Sequence, residues 1–322
     1  MDAPLHLRPM SIGEILDRSF RLYRNHFIQF FLAVLLVQIP GFIASQLYKS
    51  HCFMPFYQMA NAPAGRDFDT GTVQTLLLGT ILLAIVLGIV SLLALGAVVH
   101  LVHDTFLGRA ITIAQAYRRM LQEFGSLLRL NLVKFSILGF VSLLWLVPMG
   151  VAIAMRQWWV LAAWVVVGAL PALFAYLWLA LASIVLLLEH RGLKDTLKRS
   201  GQLMFKLTEK GLLHNNGFRI SILLLVILAV KVIVPGGIEG PYAAWKSFEM
   251  FRDPSSIGQY QRTTIDSVVE FILMVVQTAT VPFGLATLVL FYFDIRIRKE
   301  GLDLLVRVQR LKENLKLVPG PA

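Results

Sequence analysis

Six stretches of the sequence lack Asp, Glu, Lys and Arg, and most of them are long enough to cross a lipid bilayer. They are residues 25–48, 70–103, 135–155, 157–188, 220–230 and 271–293, and five of them contain 21 to 34 residues. A helix of about 20 apolar residues spans the hydrocarbon core of a bilayer. The pattern predicts an all-α polytopic membrane helix bundle with six transmembrane helices, at about 27–47, 75–101, 132–155, 159–188, 218–234 and 268–293.

The fifth stretch is the weakest, because residues 220–230 contain only 11 uncharged residues. Extending it to residues 218–234 gives a sufficient length if Arg219 and Lys231 reach towards opposite membrane surfaces. Long basic side chains can do this near helix ends. The charge distribution supports the span, because without it the basic C-terminal tail would lie on the opposite side from the other basic segments.

The 30 Lys and Arg residues are divided unequally between the two sides of the membrane. With six spans, the two termini and the second and fourth loops carry 23 of them, whereas the other three loops carry 7. Basic loops remain in the cytoplasm according to the positive-inside rule. We therefore expect a multi-pass protein with both ends in the cytoplasm.

Composition agrees with lipid as the solvent of these helices. The chain has 57% hydrophobic and 15% charged residues, whereas soluble domains carry about 25% charged residues. The net charge of +11 alone would suggest nucleic acid, but the basic residues follow the membrane sides, so we expect no nucleic-acid partner. The single cysteine, Cys52, excludes an intrachain disulfide. The first apolar stretch is too long for a typical signal peptide, and we expect it to remain in the mature chain.

Four further segments combine basic residues with apolar residues at helical spacing. They are residues 11–26, 112–128, 192–208 and 301–316, and we expect them to be amphipathic helices on the cytoplasmic side of the membrane. Ser11 and Glu14 have the spacing of a capping box. We expect one integral membrane domain over residues 1–316, followed by a disordered tail at 317–322.

The first three of these segments align without gaps. The alignment places Arg18, Arg119 and Arg199 at one position, and Tyr23, Phe124 and Met204 at another. Two interpretations remain open. The segments are three repeats of an amphipathic helix followed by a transmembrane hairpin, or unrelated amphipathic helices that are similar by chance.

Three segments of the sequence carry a family resemblance. They read LRPMSIGEILDRSFRLYRNHF at 7–27, LLEHRGLKDTLKRSGQL at 187–203, and FYFDIRIRKEGLDL at 291–304. Together they resemble the membrane domain of some bacterial glycerophosphoryl diester phosphodiesterases and of stand-alone relatives. The resemblance covers essentially the whole chain and implies a module of the bacterial cytoplasmic (inner) membrane. In the full enzymes a separate barrel of roughly 250 residues performs hydrolysis. No segment here resembles that barrel, so the enzyme name is not carried over.

We expect a polar cluster where the resembling segments meet the basic side of the membrane. Its candidate members, functional or structural, are Glu189, Arg199, Ser200, Asp294, Arg18 and Arg119. Asp294 directly follows the sixth span, and we hypothesise that it pairs with one of the three aligned arginines. Glu189 either pairs with Arg199, lines a polar cavity, or lies at an ordinary helix end.

His100, His103 and Asp104 form an alternative cluster, because their spacing puts them on one face of a helix. Two imidazoles and a carboxylate are suitable metal ligands, but no fourth ligand is identifiable. A polar group at headgroup level is the simpler interpretation. The chain also lacks the common nucleotide-binding and hydrolase motifs. We expect no catalytic residue, no metal and no cofactor.

Three functions remain open. The first is a non-enzymatic scaffold or accessory module that organises anionic membrane lipids or partner proteins. The second is a transporter or channel-like protein for a small amphiphilic solute, which should show a polar cavity at mid-membrane. The near-absence of charge within the spans argues against it, since Lys231 and Glu270 lie near the predicted span ends. The third is a membrane-embedded enzyme acting on lipid headgroups, which should show ionisable groups converging in an open cleft.

Overall fold

The computed structural model describes residues 8–60, 69–155, 171–205, 216–252 and 264–301, together with Trp159. Of these residues 92% are helical, and none of them lies in a β-strand. Six helical segments among them are long and apolar enough to cross a membrane. The protein is therefore an all-α, multi-pass membrane helix bundle, because in lipid a helix satisfies its own backbone hydrogen bonds.

The described helices are numbered along the chain. They are α1 (Ile12–Asn25), α2 (Phe27–Tyr48), α3 (Met54–Ala60), α4 (Thr70–Phe106), α5 (Ile113–Ala154), α6 (Pro171–Glu189, with a turn at Leu181), α7 (Leu193–Phe205), α8 (Asn216–Arg252) and α9 (Thr264–Glu300). A π-helical segment, Lys49–Phe53, connects α2 to α3, and the first candidate span covers all three. Except for Gly301, the predicted helix at 301–316 and the tail at 317–322 lie outside the described residues.

Capping boxes begin two of the helices at aligned positions of the proposed repeat. The Ser11 hydroxyl accepts a hydrogen bond from the Glu14 N–H at 3.2 Å, and the Ser11 N–H donates to the Glu14 carboxylate at 2.8 Å. This confirms the capping box expected at the start of α1. Thr112 and Gln115 make the same two contacts before α5, at 3.3 and 3.0 Å. The first two aligned segments therefore start their helices by the same local mechanism.

The predicted helix at 112–128 is not a separate element, because it is the first part of α5. Helix α5 runs for 42 residues, from Ile113 to Ala154, without a break. The amphipathic and apolar patterns are both compatible with a helix, and no proline or turn sequence separates them. The third amphipathic segment does form its own helix, α7, and positive φ at His190 (49°) accompanies the turn before it.

The helix that contains the predicted fifth span is longer than that span. Helix α8 has 37 residues and continues through Pro235 and Pro241 to Arg252, rather than ending near residue 234. Lys231 therefore lies close to the midpoint of the candidate span Asn216–Phe248 rather than at a span end. Arg219 does not reach towards a membrane surface either, since it is only 4% exposed inside the bundle.

Helix α9 occupies the centre of the bundle and packs against α1, α2, α4 and α8. On the other side of α4, helices α5 and α6 complete the bundle, and α7 packs against α5, α6 and α8. We call the end where α4, α6 and α9 finish the basic end. Buried side chains such as Val98, Leu127 and Leu290 concentrate there, whereas towards the opposite end residues such as Leu82 and Phe140 are exposed.

Two glycines within the spans allow close helix contacts. A Cβ atom at Gly96 would clash with the Met120 sulfur, and one at Gly284 would lie 2.9 Å from the Ile227 Cγ2. By contrast, a Cβ at Gly88, Gly139 or Gly150 would meet nothing within 4 Å. Gly284 thus sets the separation of α8 and α9, because the branched Ile227 side chain has few alternative rotamers.

Replacing Gly284 with leucine should therefore separate α8 from α9 and lower the free energy of unfolding. Overpacked cores lose about 1–3 kcal/mol. Thermal unfolding in detergent micelles measures the loss, and Gly139→Leu is the matched control because its site is open. Equal stability of the two variants would contradict the close contact.

Candidate functional site

Asp294 forms the most buried ion pair among the described residues of the basic end. Its side chain is 0% exposed, and that of Arg219 is 4% exposed. The Arg219 guanidinium donates to the Asp294 carboxylate at 2.7 Å, and Arg298 donates to both carboxylate oxygens at 3.1 and 3.2 Å. The carboxylate of Asp294 is thereby fully neutralised within the protein.

The backbone of Met10 completes this cluster. Its N–H donates to Asp294 at 2.6 Å, and its carbonyl accepts from Arg219 at 2.7 Å and from Arg298 at 2.8 Å. The segment before α1 is therefore bound to α8 and α9 at one point. The hypothesis that Asp294 pairs with Arg18, Arg119 or Arg199 is wrong, because its partners among the described residues are Arg219, Arg298 and the Met10 N–H. Arg119 and Arg199 pair with other carboxylates.

Glu189 and Arg199 come together in a second cluster, which joins α6, α7 and α9. The Glu189 side chain is 7% exposed and lies 3.3 Å from Arg199 and 2.6 Å from Arg191. It also accepts a hydrogen bond from the Tyr292 hydroxyl at 2.9 Å. Arg199 reaches Glu300 as well. Burial opposes the charged form of Arg199, but Glu300 and Glu189 outweigh it and raise the pKa of Arg199.

Ser200 packs α7 onto α6 rather than facing a cavity. It is fully buried, and its hydroxyl donates to the Trp178 carbonyl at 2.5 Å. The Trp178 indole donates in return to the Leu197 carbonyl at 3.1 Å. A Cβ at Gly201 would lie 2.7 Å from that indole nitrogen. Ser200 thus contributes helix packing and satisfies a backbone carbonyl.

The histidine cluster divides into two separate pairings. Asp104 is 4% exposed, accepts from Arg119 at 2.5 Å and lies 2.9 Å from the His103 Nδ1. His100 lies instead 3.5 Å from Glu123, which is also 3.1 Å from His190. In the part of the chain that the structure describes, no group of three His, Cys, Asp or Glu side chains could hold a metal ion. The three candidate residues therefore do not converge on one point.

Sequence reasoning missed Arg219, Tyr292 and Glu123 as members of these clusters. Arg219 was assigned to a span end, and its partner Asp294 lies 75 residues further along the chain. Spacing within one helix gives no signal for such pairs. Arg18 lies on α1. Its positive charge interacts with the carboxylate of Glu14, which belongs to the capping box of the same helix.

A polar cavity lies away from the basic end, between α2, α8 and α9. Its volume is about 220 Å³, and its lining residues are Gln38, Lys231, Met274, Gln277, Thr278, Thr280 and Val281. The sequence did contain a signal for it. Gln38 and Gln277 are strongly polar residues within otherwise apolar stretches, where they are unfavourable unless they have a partner.

Replacing Asp294 with asparagine should destabilise the fold strongly, because Arg219 would keep its charge inside the bundle without a counter-ion. Breaking a buried ion pair costs about 3–5 kcal/mol. Denaturant-induced unfolding in micelles provides the measurement. Asp17→Asn is the control, since Asp17 and its partner Arg21 are both 62% exposed and such pairs contribute about 0–1 kcal/mol. If both variants lost the same free energy, the buried pair would not have the role described.

Comparison of the chain with protein-family models, with curated proteins and with solved structures gave no match.

Proposed function

We propose that the protein is a non-enzymatic module of a bacterial cytoplasmic membrane, with both termini in the cytoplasm. It would organise anionic lipids, and partner proteins with them, at its basic end. The resemblance to the membrane domain of glycerophosphoryl diester phosphodiesterases belongs to this proposal, without the hydrolase activity.

The observation that carries the proposal is a difference in exposure at the basic end, where acidic side chains are buried and basic side chains are exposed. Asp104, Glu189 and Asp294 have side chains at most 7% exposed and are neutralised by ion pairs. In contrast, the described residues of the basic end include ten exposed basic side chains and only two exposed acidic ones, Asp17 and Asp195. The basic ones are Arg8, Arg21, Arg24, Arg109, Arg118, Arg119, Arg129, Arg191, Lys194 and Lys198.

This placement favours lipid binding over chemistry on lipid headgroups. Each basic residue near an anionic membrane surface contributes about 1 kcal/mol of attraction. An embedded enzyme needs acids or imidazoles that are free to exchange protons with a substrate. Glu189 and Asp104 instead have arginine partners at 2.6 and 2.5 Å.

Transport of a small amphiphilic solute is the second candidate, and one observation favours it. The cavity between α2, α8 and α9 brings together a lysine and two glutamines from within three candidate spans, with Lys231 near the middle of its own. Transporters bind their substrates at this depth, often next to interrupted helices.

Neutralising four exposed basic residues should reduce the anionic lipid bound by the protein. We expect the variant with Arg118, Arg129, Lys194 and Lys198 all changed to glutamine to copurify with less phosphatidylglycerol relative to phosphatidylethanolamine. Mass spectrometry of the copurified lipids measures this ratio. Arg252→Gln is the control, since Arg252 is also exposed but lies at the opposite end of α8. An unchanged ratio in the fourfold variant would rule out the lipid-organising function.

The orientation can be tested with fusions on either side of α8. Alkaline phosphatase, which is active only in the periplasm, should be active when fused after Arg252 and inactive when fused after Phe205. A green fluorescent protein should fluoresce only at the second position. The reversed pattern would place both termini in the periplasm, and equal signals would mean that α8 does not cross the membrane.

A further inference from the structure

The polar cavity lies in a cleft near the middle of three helices. Helix α9 contacts both α2 and α8 and forms the back of the cleft. Gln38 comes from α2, Lys231 from α8, and the other lining residues from α9. Gln38 lies 11 residues after Phe27 and 10 before Tyr48, and Lys231 lies 15 after Asn216 and 17 before Phe248. Gln38 and Lys231 therefore lie well inside α2 and α8, away from the helix ends.

Three side chains of the cavity lack a partner among the residues that the structure describes. Among the described residues, none forms a hydrogen bond or ion pair with the side chain of Gln38, Lys231 or Gln277. A polar group without a hydrogen bond is unfavourable in hydrocarbon, and an unpaired charge is more so. Within the described part of the chain, the polar groups of these side chains are therefore available to a ligand.

Two prolines remove helical hydrogen-bond donors beside the same cavity. In a helix, the N–H of Pro235 would have bonded the carbonyl of Lys231, and that of Pro282 the carbonyl of Thr278. Proline has no N–H, so both carbonyls lose their helical donor. Lys231 and Thr278 line the cavity, and irregular hydrogen bonding at membrane depth is tolerated where the backbone faces a polar space.

Helix α1 lies on the side of the cleft that faces the basic end. It contacts α2, α8 and α9, and the Tyr23 hydroxyl donates to the Ala279 carbonyl at 2.6 Å, between Thr278 and Thr280. Burial raises the pKa of Tyr23 to about 12, so the hydroxyl keeps its proton and remains a donor at neutral pH. The structure therefore covers the cavity in this direction.

The cavity is open towards the lipid. Lys231 and Gln277 are exposed in the isolated chain. Leu228 and Val234, about one helical turn on either side of Lys231, are 60% and 47% exposed. A molecule that places a polar group in the cavity would thus lie against an apolar surface outside it.

We propose that this cavity binds the anionic headgroup of a single-chain amphiphile, a carboxylate or a phosphate. Lys231 supplies the positive charge, and its ammonium and the amides of Gln38 and Gln277 donate to the headgroup oxygens. The hydrocarbon chain lies along Leu228 and Val234. A volume of about 220 Å³ also leaves room for water, which occupies about 30 Å³ per molecule, to donate to the free carbonyls. This site is separate from the lipid-organising function, which uses the basic end. The proposal requires only that the ligand binds, and it does not require that the ligand crosses the bilayer.

The test is calorimetric titration of the full chain in nanodiscs of phosphatidylcholine. The probes are dodecanoate, dodecyl phosphate, the neutral dodecanol and inorganic phosphate. The two anionic dodecyl compounds should bind, and the other two should bind at least about tenfold more weakly, because charge-assisted hydrogen bonds are about twice as strong as neutral ones. Lys231→Met should weaken dodecanoate binding by a similar factor.

Lys198→Met is the matched control, because it removes an exposed lysine at the basic end and should leave dodecanoate binding unchanged. Gln277→Leu is a second variant that should also weaken binding, and it keeps the test valid if Lys231→Met does not fold. Wild-type affinity in a folded Lys231→Met protein would overturn the proposal, and so would equal binding of dodecanol. If inorganic phosphate bound as tightly as dodecyl phosphate, the assignment to an amphiphile would be wrong.

Discussion

The fold depends on how one fully buried carboxylate is neutralised. Asp294 accepts hydrogen bonds from Arg219, Arg298 and the Met10 N–H, so the segment before α1, helix α8 and helix α9 meet at a single charge. Because Met10 is bound there, α1 is positioned along α9. Tyr23, near the other end of α1, then reaches the carbonyl of Ala279 beside the polar cavity. An ion pair at the basic end thus determines how a cavity deeper in the bundle is covered.

Much of the architecture could be predicted from the sequence, because lipid as a solvent leaves few choices. A backbone in hydrocarbon must satisfy its own hydrogen bonds, so long charge-free stretches become helices. Six candidate spans follow from this rule, including the fifth, for which the charge asymmetry argued. Helix ends were harder to predict. Lys231 suggested an end to α8, yet the helix continues to Arg252, because one charge with a polar cavity beside it does not stop a helix.

The clusters could be predicted only in part, for a reason of chain separation. The sequence indicated Glu189, Arg199 and Asp294, since charges next to spans are few. It indicated the pairing of Glu189 with Arg199 as one possibility, and the structure contains that pair. It did not indicate the partners of Asp294, because Met10 and Arg219 lie 284 and 75 residues from Asp294. Asp104 and its partner Arg119 lie on either side of the short loop between α4 and α5. The alignment of Arg18, Arg119 and Arg199 gave no reason to expect that these arginines would pair with different carboxylates. Periodicity shows which face of a helix is polar, but packing determines which polar groups meet.

The two polar regions differ in a way that bears on function. At the basic end each candidate acid is neutralised, and the helices around it are closely packed. In the cavity, Lys231, Gln38 and Gln277 have no partner among the described residues. A bundle whose stability came mainly from its middle could not tolerate three unsatisfied side chains there, because each is unfavourable in lipid. Stability concentrated at the basic end makes such a cavity tolerable. Since unsatisfied polar groups are retained at some cost, the cavity rather than the ion-paired clusters is where a ligand would have the largest effect on the free energy of this protein.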